Sequence, residues 1–434
     1  MERKTKLSLE IFFLLIVAIT IILFYENSNL TEDIATNLES KPNIMLNFEG
    51  EGKKSVSDYI KNKYKSTTAL NLLNKDKAYP GFTLYTISGP EEIKLLNMSG
   101  QTVHSWSGID SDRTRLLKNC NIITLHGSKN RIQDEPWNSL RTRVSEYDWE
   151  GNLVWHYTSK YVLHHDVQRL DNGNTLILLK VPVPKDYLNK VTDQERKGIA
   201  LKGDVILEIN SKGKEVWRWN SWQHIDVNDC GVRKCLGRMN EDGTKKLSEE
   251  DSEDWTHLNT ISVIPDNKWY KAGDKRFKPG NIIVMPRNFW TILIIDRDSG
   301  EIVWRYTGDY KGGLIGGHEP IMVPLGFPGE SNILILDNGD PSRNNSSFIL
   351  EINPTNKKLD WVYDVGDAFH TRARGSVQRF PNGNTLISED RSGRVFEVTR
   401  EKEKVWEYVG NLLTVRAQRY EPNYCPKLSE FNLY

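Results

Sequence analysis

The chain is 434 residues long and balances 58 lysines and arginines against 58 aspartates and glutamates. Charge spread evenly along the chain leaves no basic face for a polyanion, so nucleic-acid binding is excluded as a starting expectation. Thirteen Trp and 17 Tyr favour pleated, half-buried strands, so an all-β fold is expected.

Residues 1–25 stand apart. Arg3, Lys4 and Lys6 precede the apolar run Ile11 to Phe24, and Glu26, Glu32 and Asp33 follow it. The positive-inside rule puts the N-terminus in the cytoplasm and the remainder outside. At ~1.5 Å per residue the run covers about 21 Å of a roughly 30 Å hydrocarbon layer, and Leu7 and Leu9 extend it. A cleaved signal peptide competes with an uncleaved transmembrane helix, and no small-x-small site in residues 25–37 supports cleavage. The expectation is a single-pass, membrane-anchored protein. Residues 26–78 are expected to form a stalk with a helical lead-in from Ser55 to Leu73.

Export makes Cys120, Cys230, Cys235 and Cys425 candidates for disulfides. Cys230 and Cys235 are close enough for a local loop staple, which leaves Cys120 to pair with Cys425. Free buried cysteines are the competing reading. Zinc lacks a second closely spaced cysteine pair. Asn29, Asn97 and Asn345 open sequons that agree with export.

From Tyr79 onward a repeat emerges. A turn followed by a strand ending in an aromatic pair occurs at Gly100–Trp106, Gly151–Tyr157, Gly213–Trp219 and Gly300–Tyr306. Degenerate copies are Lys357–Tyr363 and Glu403–Tyr408. Period-two alternation marks half-buried strands. Between these copies lies a strand with a tight hairpin, clearest at Val167–Ile177 and Val377–Ile387, where Asn-Gly predicts a type I′ turn. Six copies predict a six-bladed β-propeller over residues 79–434, with a β-sandwich as the alternative. Long polar excursions at Asn220–Asp254 and Lys268–Lys278 are loops, either lids or solvated surface.

In a propeller the innermost strand of each blade lines the axis, and that strand should be the one just upstream of each hairpin. Four such strand starts are polar: His164-His165-Asp166, His257-Leu258-Asn259, Gly317-His318-Glu319 and Arg372-Ala373-Arg374. Each leads into an apolar anchor at Val167, Ile261, Ile321 or Val377. Repeat geometry thus converges histidines of three blades on one axis, although any one alone reads as a structural histidine. The register does not choose between His164 and His165.

These segments, with Pro80–Tyr85, Trp255–Thr260, Met285-Pro286-Arg287-Asn288, Leu336-Asp337-Asn338-Gly339 and Pro381–Leu386, resemble the arylsulfotransferases. The likeness covers most of Tyr79 to Tyr408. It implies a six-bladed propeller and a catalytic set of three histidines and one arginine. Mapped here, these are His164 or His165, His257, Arg287, and His318 as nucleophile. It implies an aryl sulfate donor and a phenolic acceptor, exchanged through a sulfohistidine. No cofactor and no metal are implied. The family's N-terminal β domain is not evident, and residues 268–278 enlarge the stretch before Arg287.

The chemistry suits the residues. Attack at sulfur needs a neutral imidazole, and an adjacent guanidinium keeps it neutral and forks onto sulfuryl oxygens. A second histidine, His257, can protonate the leaving phenolate. No Gly-rich loop for a nucleotide sulfate donor is present. Trp255, Phe289, Trp290 and Phe369 read as core before they read as a substrate wall. Two other functions compete: a non-catalytic binding platform, and a His-ligated metal enzyme with Asp166 or Glu319 behind the ligands.

Overall fold

Strands apolar on both faces need cover on both sides, and stacking sheets around an axis provides it. Ile282–Pro286, Ile333–Asp337 and Phe348–Ile352 are buried at every position. The outermost strands, such as Leu153–Thr158, alternate toward solvent. The computed structural model describes residues 45–48, 52–55, 70–88, 91–127, 134–235, 252–410 and 413–434, the first two stretches as backbone. The anchor expected at residues 1–25 lies outside the described residues. Among the described residues no helix is long and apolar enough to cross a membrane.

Six antiparallel sheets form the blades of a propeller. Their innermost strands, in blade order, are Gln418–Tyr420, Arg113–Leu116, Val162–Arg169, Leu258–Val263, His318–Met322 and Ser376–Arg379. The circle closes twice. The C-terminal strand Gln418–Tyr420 pairs with Phe82–Ile87 to complete the first blade. Leu70–Leu73 adds a fifth strand to the sixth blade, pairing with Lys404–Val409.

The aromatic pairs of the repeat hold neighbouring blades together. Trp155, Trp217, Trp304 and Trp361 donate their indole N–H to the carbonyls of Ser211, Arg297, Pro354 and Arg400, each in a turn of the next blade, at 2.7–2.9 Å. Trp406 of the sixth blade donates to Met98 of the first at 2.9 Å. In the first blade His104 takes the tryptophan position, and its Nε2 reaches the Trp149 carbonyl at 2.9 Å. The result is a closed ring of six inter-blade hydrogen bonds.

Two expectations are corrected. The Asn-Gly hairpins are not type I′, because only Gly173 and Gly383 take positive φ while Asn172 and Asn382 do not. Instead Gly173 N–H donates to the Leu170 carbonyl, and the Asn172 side chain accepts from Asn174 N–H at 2.9 Å. This is a type I turn closed by a left-handed glycine, which fits a longer hairpin loop. The lead-in is not helical where it is described: Met45–Phe48 pairs with Gly52–Ser55, and Leu70–Leu73 is a strand. The open edge of the sixth blade takes up Leu70–Leu73 as a fifth strand, a tertiary pairing that overrides a weak local helical preference. The stretch 56–69 lies outside the described residues. Finally, Asn97 of one sequon is buried and bonded to Gln101, so it is a turn residue; Asn345 is exposed.

All four cysteines are paired, Cys120 with Cys425 and Cys230 with Cys235. The first bridge ties the second blade to the C-terminal tail that completes the first. Its sequence separation is 305 residues against 5 for the other. Chain entropy assigns the long loop on the order of 5 kcal/mol and the short one about 2. Replacing both Cys120 and Cys425 by Ser should therefore lower the melting temperature more than replacing Cys230 and Cys235, as calorimetry would read. Trp304→Phe keeps the ring packing but strands the Pro354 carbonyl. It should cost about 1–3 kcal/mol in denaturant unfolding, and no loss would deny the indole ring its role.

Candidate functional site

The innermost strands do not run regularly to the axis. Register slips separate Leu163 from Val167, Leu258 from Ile261 and His318 from Ile321. At these kinks and at equivalent points of other blades His165, His257, Glu319, Arg374 and Arg416 take positive φ, between 46° and 62°. Such backbone costs of order 1–3 kcal/mol per residue and persists only where the surroundings enforce it. Here it brings four of them, His165, His257, Arg374 and Arg416, to one place, while Glu319 pairs with Arg113 and Arg416.

That place is a cavity of about 350 Å³. His164, His165, His257, His318 and Arg287 all line it. The five residues singled out from the sequence thus meet, and both members of the His164-His165 pair are present. Their Nδ1 atoms are 2.7 Å apart, and the His165 and His257 rings meet edge to face at 4.7 Å. His257 Nδ1 lies 2.7 Å from Asp254 Oδ2. Because a carboxylate only accepts, His257 donates through Nδ1–H. His318 Nδ1 lies 2.5 Å from Asn338 Oδ1.

Burial pushes the His318 imidazole well below its ordinary pKa, and the guanidiniums of Arg416 and Arg287 add to the shift. Burial likewise lowers His165, helped by His257 and His164, and lowers His164, helped by Lys180. The shifts favour the neutral form of all three rings. Lys180 bridges Asp204 at 2.8 Å and Asp254 at 2.5 Å. Burial opposes charge on all three, yet the lysine holds both carboxyls below their usual range, and they hold it above its own. His164 Nε2 stands 3.0 Å from Asp204 Oδ1.

A charged cluster seals the axis beside the histidines. Arg113 reaches Asp166 at 3.1 Å and Glu319 at 2.6 Å. Arg115 reaches Asp166 at 3.0 Å. Arg416 reaches Glu319 at 3.1 Å and the Asn259 carbonyl at 2.6 Å. Asp166 and Glu319, considered as supports for a metal site, are therefore engaged by arginines, and among the described residues no group of three His, Cys, Asp or Glu is disposed to hold a metal ion. Trp255, Phe289 and Phe369 are core, as expected; Arg233 sits over the ring of the half-buried Trp290 at 5.0 Å.

Sequence reasoning missed Arg113, Arg115, Arg141, Arg416, Lys180, Asp204 and Asp254. Arg113-Thr114-Arg115 sits just upstream of a hairpin, the same place as the histidine starts, and that signal was available. Lys180 lies on a second strand and Asp254 on a short strand, Ser252–Asp254, laid parallel to Ala200–Ile209 at the end of the long excursion. Nothing in the local pattern marks those two. The cavity wall gains Arg141, Arg374 and Asp112, with Leu163 and Val415 as apolar surface.

Comparison with known proteins gives one family. Residues 143–411, more than half of the chain, match the family model described as arylsulfotransferase (ASST). No curated protein matches. Among solved structures, a Bacteroides caccae protein of unknown function aligns with 13% identity and a TM-score of 0.46, covering 80% of this chain and 99% of its own. A catalytically inactive virginiamycin B lyase of Staphylococcus aureus, solved with quinupristin, aligns with 10% identity and a TM-score of 0.40, covering 81% and 87%. Apo AztD of Citrobacter koseri aligns with 9% identity and a TM-score of 0.39, covering 82% and 98%. The blade count stands on the strand pairing, not on these likenesses.

The buried neutral histidines make stability depend on pH. Their folded pKa lies below the unfolded value of about 6.5, so the unfolded chain binds more protons as pH falls below that value. The contribution is complete above pH ~6.5 and is lost on acidification, by about 1 kcal/mol per histidine one unit lower. Urea unfolding at pH 7.5 and 5.5 should show this loss, and His318→Gln should lessen it. An unchanged pH dependence in the variant would show that His318 titrates normally.

Proposed function

The chain belongs to the arylsulfotransferase family of sulfotransferases, and from that membership we propose that it moves a sulfuryl group from an aryl sulfate to a phenolic acceptor through a covalent intermediate on His318. The observation that carries the reading is the meeting of His164, His165, His257 and His318 with Arg287 in one cavity, with His318 buried and lowered in pKa.

The lone pair of His318 Nε2 attacks sulfur, and the bond from sulfur to the aryl oxygen breaks with its electron pair on that oxygen. His257 Nε2–H protonates the departing phenolate. Asp254 suits His257 to this task, since a carboxylate accepting from Nδ1–H orients the ring, as in other histidine–aspartate pairs. Arg287 forks onto the sulfuryl oxygens, where charge is spread over planar acceptors. The product leaves and an acceptor phenol enters. His257, now neutral, takes the phenol proton, the oxygen attacks sulfur, and the bonding pair returns to His318 Nε2. Two half-reactions sharing one site give ping-pong kinetics without a nucleotide donor.

We read the propeller as extracytoplasmic, tethered through residues 1–25. Two disulfides support an oxidising setting.

Turnover of 4-nitrophenyl sulfate with phenol as acceptor tests the reading. His318→Ala should lose at least about 10³-fold in kcat, and parallel double-reciprocal lines should appear for the unaltered protein. Full activity in the variant removes His318 as nucleophile. No turnover across a panel of aryl sulfates favours a binding platform.

A further inference from the structure

Asn338, on the turn after Ile333–Asp337, stands behind His318 rather than in the cavity wall, and it makes three hydrogen bonds whose directions are mutually dependent. Its Nδ2 donates to the Thr371 carbonyl at 2.7 Å and to the Arg374 carbonyl at 2.8 Å. Both amide hydrogens are thereby committed to backbone acceptors of the neighbouring blade. The opposite orientation of the amide would set its oxygen against two carbonyl oxygens, so the network fixes the assignment. Oδ1 must then face His318 Nδ1, 2.5 Å away, and an amide oxygen can only accept.

We propose that Asn338 is the positioning residue that sets the tautomer of His318, holding the proton on Nδ1 and leaving the Nε2 lone pair directed to the cavity as the nucleophile. The proposal rests on the reading of His318 given above for its kinetic consequence, but not for the tautomer itself.

A neutral amide also differs in kind from the partner of His257. Asp254 is a carboxylate and holds the His257 ring by accepting from its Nδ1–H. Asn338 offers the same acceptor geometry without negative charge. His318 therefore gains orientation, and the rise in basicity that this hydrogen bond brings is smaller than the lowering by burial, Arg416 and Arg287. When Nε2 bonds sulfur, the ring carries Nδ1–H and a positive charge balanced by the sulfuryl oxygens, and Asn338 keeps its hydrogen bond without taking the proton. A cationic ring leaves readily, so the nitrogen–sulfur bond stays labile for the acceptor. A carboxylate there would stabilise the cation or remove its proton, and either effect slows the second half-reaction. The groups that act on His318 from the surrounding blades are Arg416, Arg287 and His257. Arg374 lines the same cavity, and the Glu319 carboxylate is held by Arg113 and Arg416. Asp337, beside Asn338, has its carboxyl pushed up to about 6 by burial.

Two measurements on the full chain decide the matter. Nitrogen-15 spectra of histidine-labelled protein, with His318 assigned by its loss in His318→Gln, report which ring nitrogen carries the proton. The expected result at pH 7.5 is a protonated Nδ1 and a bare Nε2; a protonated Nε2 overturns the proposal, whether or not the protein turns over aryl sulfates. Kinetics then test the choice of amide. Asn338→Asp should raise the acid limb of kcat/KM by one pH unit or more and let the sulfated enzyme accumulate after a rapid burst. Asn338→Ala should lower kcat on the order of 10²-fold with a smaller change in KM. A control, Asp337→Asn, should leave that limb in place. An acid limb unmoved in Asn338→Asp, with folding intact by circular dichroism, overturns the assigned role of the neutral amide. If that variant does not fold, the spectrum of the unaltered protein still establishes or overturns the tautomer.

Discussion

A ring of six side-chain N–H groups, each bonded to a turn carbonyl of the next blade, is the constraint on which the rest depends. A propeller blade is a sheet with two buried faces and nothing to fix how far it rotates against its neighbour. Apolar packing alone is non-directional and tolerates slippage. An indole is large enough to fill the gap between sheets and carries one donor at its edge, so it registers as well as fills. Because the sixth bond runs from Trp406 back to Met98, the ring closes only when all six blades hold the same spacing. The Cys120–Cys425 bridge and the two terminal strands secure the same closure by other means.

Closure acts on the centre as well. Three of the six inner strands kink as they meet at the centre, with His165, His257 and Glu319 in left-handed backbone. A charged cluster ties the kinked strands to one another. Arg113 is wholly buried and spans Asp166 and Glu319 of two other blades, while Arg416 joins Glu319 to the backbone of a fourth. A buried pair of this kind adds little stability over an apolar plug of the same shape, and removing one member is costly because it leaves a bare charge. Its use here is geometric, since it sets the depth at which each kinked strand stops. The histidines sit on those same kinks, so their relative positions inherit that precision.

Much of this was readable beforehand. The aromatic pairs gave the blade count because a repeated structural task leaves a repeated mark, and a Trp of each intact pair is a donor in the ring. The polar starts His164-His165, His257 and His318 were legible because a polar residue at the head of an apolar strand breaks its own pattern. What escaped notice obeyed no local pattern. Leu70–Leu73 reads as a weak helix face, and only the exposed edge of the sixth blade makes it a strand. His104 hides the first member of the ring because a histidine replaces the tryptophan, though its Nε2 meets the same kind of acceptor. Asp254 follows a long polar excursion and reads as surface, yet it reaches His257. The hairpin dipeptides suggested one turn and formed another, because loop length, not the dipeptide, chose the geometry.

The division between repetition and departure explains how one scaffold carries chemistry. At the rim the blades do the same thing six times, and a substitution there strikes an interaction with five equivalents. At the axis equivalent points hold different residues: counting three back from the apolar anchor gives His164, Leu258, His318 and Arg374. Four strands so alike in backbone could have supplied four like side chains, and four like charges in so small a cavity would repel. Burial disfavours the charged form of an imidazole but leaves a guanidinium charged, since arginine does not give up its proton in proteins. Mixing the two types therefore yields neutral rings beside fixed cations, a condition that neither four histidines nor four arginines would produce. Arg287 and Arg416 lower the pKa of His318 because they remain charged where it cannot. The reactive state of the cavity thus follows from placing unlike residues at like points of a repeat.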